Sequence, residues 1–81
     1  MTVDNIMSKR VMITEAARVH KSFHGQTGVI VGINNDYIDG VGFNTMCLVY
    51  LDKPVTDGSD GSVVRTIHLD KDWLTILSDF N

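Results

Sequence analysis

A single cysteine, Cys47, occurs in the 81 residues, so no disulfide can form within the chain and no set of thiolates can hold a structural metal. That excludes the disulfide-rich secreted scaffolds and points to a reducing compartment, the cytoplasm. No run of about 18 apolar residues is available to cross a membrane as a helix, and the N-terminus has no basic start followed by an apolar run, as a signal peptide would. The expectation is a cytoplasmic protein with no membrane association. Catalytic patterns are missing as well. No nucleophile elbow occurs, and GQTGVIVG (Gly25–Gly32) lacks the lysine and following hydroxyl residue of a phosphate loop. A chain this short with no cofactor motif is expected to be neither an enzyme nor a cofactor carrier.

What is present is enough apolar material for one core: 43% hydrophobic residues, with Val, Ile, Leu and Met spread along the whole chain. The net charge of -3 is unevenly placed. Residues 1–30 carry Lys9, Arg10, Arg18 and Lys21 against Asp4 and Glu15, whereas from Val31 onward Lys53, Arg65 and Lys71 face eight aspartates. A general phosphate binder is usually basic overall, because affinity grows with the phosphates neutralised. Bulk charge therefore opposes nucleic acid, while the first third could still build a basic patch.

Strand patterns dominate. Thr2–Val11 offers a candidate N-cap at Thr2 with Val3, Ile6 and Met7 on one side of a short helix, an extended arm is the close alternative, and Arg10–Thr14 (RVMIT) has β-branched content. Ala16–Lys21 alternates Ala17 and Val19 with Arg18 and His20, as a half-buried strand does. Gly28–Ile33 and Asn44–Leu51 are apolar strands joined by the turn formers of Asn34–Gly42. Pro54 ends the second of these. Thr56–Ser62 (TDGSDGS) is a polar hairpin loop expected to accept insertions. Val63–Leu69 and Leu74–Leu77 are the remaining strands, with one helical turn at Asp70–Trp73 between them. The fold class is all-β: five short strands and one turn of helix before the fifth, with an N-terminal arm (1–14), a β domain (15–78) and a tail (79–81).

This order resembles the five-stranded SH3-like barrels. Within it Arg18–Ile33 is similar to the KOW motif of ribosomal and transcription-factor domains, through Val19, Gly25, Gly28, Ile30 and Ile33. The resemblance implies a ligand site built from loop aromatics at one end of a barrel. Phe23 and Tyr37 then become contact candidates, with Trp73 as a plug of the barrel end.

The strands are apolar on both faces: Val29, Val31 and Ile33 oppose Ile30, and Met46, Leu48 and Tyr50 oppose Cys47, Val49 and Leu51. A lone barrel buries one face, so the other needs a cover: the arm, a second copy, or a partner. The leading expectation is a non-enzymatic module, of the kind a small bacterial or phage-type accessory regulator would be, docking on a protein partner through Phe23, His24, Tyr37, Val29 and Val31. A second is a KOW-like nucleic-acid binder using Arg10, Arg18, Lys21, His24 and Arg65, with Phe23 stacking on a base. A third is a self-associating structural subunit. No metal is expected, since His20 and His24 are not two close ligand pairs. Asp57-x-x-Asp60 and Asp36-x-x-Asp39 lack EF-hand spacing. Cys47 reads as a small core residue.

Overall fold

The computed structural model describes residues 6–40 and 42–79, and the side chains of all of these except 36–38, 43, 78 and 79. Among the described residues five antiparallel strands form one sheet: β1 (Lys9–Ile13), β2 (Thr27–Ile38), β3 (Gly42–Thr56), β4 (Val63–Asp70) and β5 (Leu74–Asp79). Their order is β4-β3-β2-β1-β5. The core lies on the side where partners across the ladder are all apolar. Val11, Gly28 and Leu51 form one row, Ile30, Val49 and Ile67 the next, and Ile33, Cys47 and Leu69 a third. Val11, Ile30, Cys47, Val49, Leu51 and Leu69 are fully buried there, and Phe23 and Val55 close the cluster.

The helical turn expected before the last strand is a 3-10 turn at Lys71–Trp73. Asp70 caps it, its carboxylate accepting the Asp72 amide at 2.9 Å. Trp73 is half-buried against the core.

The first strand is displaced from its expected position. Lys9–Ile13, assigned above to the arm, is β1, because Val11 and Ile13 supply two buried β-branched positions on one face. Ala16–Lys21 is a run of turns and bends leading into a 3-10 turn at Lys21–Phe23, with Ala17 dropped into the core. The arm and domain boundary at Thr14 thus falls after a sheet strand. Ile6 packs on the core cluster rather than over the outer face.

Three other departures lie in the ladders of β2 and β3. The Asn34–Gly42 connection shrinks to residues 39–41, since Asn34–Ile38 pairs with Gly42–Met46 as a continued hairpin. Pro54 does not end β3. The ladder to β4 jumps from Tyr50↔Thr66 to Val55↔Val64, so Pro54 lies in an unpaired stretch that asks no donor of it. A register shift between Ile30 and Gly32 makes Val31 the extra residue of a bulge. Parity therefore flips, and Ile33 joins Ile30 on the core side instead of opposing it.

Candidate docking face on the outer side of the sheet

Direct partners in an antiparallel ladder share a face, so the row Arg10, Val29, Tyr50, Thr66 lies on the side away from the core. The bulge lifts Val31 beside it, and the next row is Gly32, Leu48, His68. Val31 is 47% exposed and Tyr50 44%, with Val29 and Leu48 half-buried between them. Gly32 has no side chain, which leaves a shallow depression floored by the glycine and lined by Ile33, Asn34, Met46, Leu48 and His68. The result is an apolar stripe along β2 and β3 with a dent at its end.

Charged groups frame the stripe and hold one another. The Arg10 guanidinium grips Asp52 with both arms, at 3.1 and 2.7 Å. The Thr27 hydroxyl donates to the same carboxylate at 2.5 Å. The hydrogen bonds from Arg10 and Thr27 hold the Asp52 carboxyl below the usual aspartate range, and Asp52 raises Arg10 in turn. Arg65 lies 4.5 Å from the centre of the Tyr50 ring and donates through Nε to the Leu51 carbonyl at 2.9 Å, inside the irregular stretch of β3. Its cation thus rigidifies Tyr50.

The residues expected to make contact are dispersed. Phe23 is 2% exposed and belongs to the core, which corrects its assignment as a docking or base-stacking aromatic. Among the described residues it is the largest fully buried side chain, and the 3-10 turn points it inward. His24 is half-buried and donates from Nε2 to the Ala17 carbonyl at 3.0 Å, so it pins the β1–β2 connection. The Tyr37 side chain lies outside the described residues. Val29 and Val31 do lie on the outer face. The five candidate nucleic-acid residues are divided: Arg10 and Arg65 stand on this face, engaged as above, whereas Arg18, Lys21 and His24 belong to the β1–β2 connection.

Tyr50 and Leu48 were not singled out as contacts, although the alternation of Met46, Leu48 and Tyr50 with Cys47, Val49 and Leu51 places them opposite the core. His20 was also missed. Its ring packs on Gly58 of the β3–β4 loop, and its Nδ1 accepts the Ser22 amide at 3.1 Å. No sequence pattern marks that long-range contact.

Cys47 is fully buried, and desolvation pushes its thiol up, away from the reactive thiolate. Among the described residues no three His, Cys, Asp or Glu side chains converge on a common point, and no helix is long and apolar enough to cross a membrane. Compared with protein-family models, curated proteins and solved structures, the chain matches none.

Proposed function

We propose that this chain is a small non-catalytic binding module that docks on a protein partner through the outer face of β2 and β3. The observation that carries this is the contiguous stripe of Val31, Tyr50, Val29 and Leu48, two of whose members expose over two-fifths of their surface. Exposed apolar stripes on soluble domains tend to be contact sites. Tyr and Arg are also the residues on which binding energy concentrates, and here Tyr50 is already stacked under Arg65, so little side-chain freedom is lost on docking. An SH3-like reading of the frame is supported by the strand order and by the 3-10 turn before β5. Nucleic acid is the weaker reading, because Arg10 is neutralised by Asp52 and the proposed stacking residue Phe23 is in the core.

Val31→Asp tests the proposal. An exposed bulge position tolerates a carboxylate, so the melting temperature should stay within a few degrees of wild type. A desolvated, unpaired charge at the contact should abolish capture of a partner that the wild-type chain retains from its native cell. A partner bound equally well by Val31→Asp, or a captured species that disappears with nuclease, overturns the reading.

A further inference from the structure

A second surface, separate from the outer stripe, is the free edge of β2. Alongside its first half β2 has β1, and among the described residues the backbone contact nearest the chain start is the Ser8 amide donating to the Ile30 carbonyl at 2.8 Å. Ser8 then adopts φ 64, a left-handed conformation that turns the chain out of the sheet, and Ile6 goes to the core. From Gly32 to Ile38 β2 pairs with β3 on one side, and among the described residues no strand pairs with it on the other. β3 loses its own outer neighbour at Met46↔Asp70. The pairs from Asn35↔Thr45 to Ile38↔Gly42 are therefore a two-stranded ribbon reaching about 10 Å past the sheet, at 3.4 Å per residue. Such a ribbon is marginal alone and presents a row of unmade backbone hydrogen bonds.

We propose that two copies of this chain pair edge to edge along Gly32–Ile38, antiparallel, about a twofold axis at Asn35. Antiparallel partners share a face, so only registers pairing like faces are allowed. The register centred on Asn35 sets Asn34 opposite Asp36, Ile33 opposite Tyr37 and Gly32 opposite Ile38. Apolar positions meet apolar ones, and the one charged position of the segment meets a neutral amide. Shifting the axis to Asp36 sets carboxylate against carboxylate. Shifting it to Asn34 sets Ile33 against Asn35 and Gly32 against Asp36. The segment is thus complementary to itself in one register, as a closed twofold contact requires. The product is a central four-stranded sheet, β3-β2-β2-β3.

Asn35 is exposed, and its side-chain oxygen accepts the Thr45 hydroxyl at 2.7 Å within one ribbon. Asn35→Asp keeps that acceptor and the side-chain shape, yet places two like charges on the axis. Asn35→Lys alone places two positive charges there, whereas a pair with one copy of each variant sets opposite charges on the axis. In sedimentation equilibrium the wild-type chain should reach twice its 9.0 kDa mass with rising concentration. Each variant alone should remain at the single-chain mass with an unchanged circular-dichroism spectrum. Mixed in equal amounts, the two variants should return to the double mass, and native mass spectrometry should identify the product as the heterodimer. A wild-type chain that stays single at all concentrations overturns the proposal. So does a double mass that survives both substitutions, or a mixture that does not recombine.

Discussion

A methyl group on Gly28 would lie 2.8 Å from Val49 Cγ1 and 3.0 Å from the Leu51 α-carbon, and closer still to the Tyr50 carbonyl oxygen. The glycine sits in the fully buried row with Val11 and Leu51, so neither neighbour can retreat. Gly28→Val should cost about 2 kcal/mol or more by overpacking, read as a lowered urea midpoint with unchanged slope. Gly32 differs. A Cβ there would meet Leu48 Cβ at 3.3 Å, on the outer face, where a small displacement relieves it. A stability loss for Gly32→Ala as large as for Gly28→Val would contradict this account of the two positions. The Asp52 carboxyl, held below its ordinary range by Arg10 and Thr27, has a pH signature. In the unfolded chain it takes up its proton at the ordinary aspartate value, before the folded chain does. Its stabilisation is thus complete above that value and is lost as pH falls through the lowered folded value. Asp52→Asn should flatten the acid limb of a melting-temperature profile and leave differences between neutral and mildly alkaline pH unchanged.

At the scale of elements, the β3–β4 loop departs most from its expected role as a permissive tip. Asp57 and Asp60 each turn the chain by accepting the amide and hydroxyl of the serine two residues on, at 2.7 to 2.9 Å. The Gly58 amide donates to Ser22 Oγ at 3.2 Å, and Ser22 is bound to His20 at 3.0 Å. A Cβ on Gly58 would land on the His20 imidazole. Gly58→Ala should therefore undock the loop, raising amide exchange at residues 57–62 and at Ser22 while β3 and β4 stay protected. Unchanged exchange at Ser22 would show the loop to be independent of it. The apolar cores of β2, β3 and β4 were legible because Ile30, Val49 and Leu69 stand in β-branched or aliphatic runs. The irregularities were not. One inserted residue at Val31 reverses the facing of everything after it, and Asn34–Ile38, rich in turn formers, is extended because its partner strand demands it. The candidate face was half legible: the doubly apolar strands and the outward parity of Tyr50 were plain in the alternation of β3, but Phe23 turns inward because Lys21–Phe23 is a 3-10 turn, which no local pattern marks.

At the scale of the whole molecule, the strand order fixes which contacts form late. β2 pairs with β3 and β3 with β4 through connections local in sequence, whereas β5 must find β1, joining Lys9 to Asp79. Loop closure over such a separation is unfavourable until the rest of the sheet has formed. Val49→Ala in β3 should then mainly slow refolding, and Leu74→Ala in β5, which packs on the edge of the core, should mainly hasten unfolding. Stopped-flow chevrons separate the two arms, and a folding limb slowed equally by both substitutions would place the closure in the transition state. Between those events β1 waits with one neighbour in place and the other missing. The last strand is a clasp: residues 74–79 decide how long the outer edge of β1 stays open to a stray strand from another molecule. A crowded cell would sense a slow clasp as misassembly before any loss of equilibrium stability could be measured.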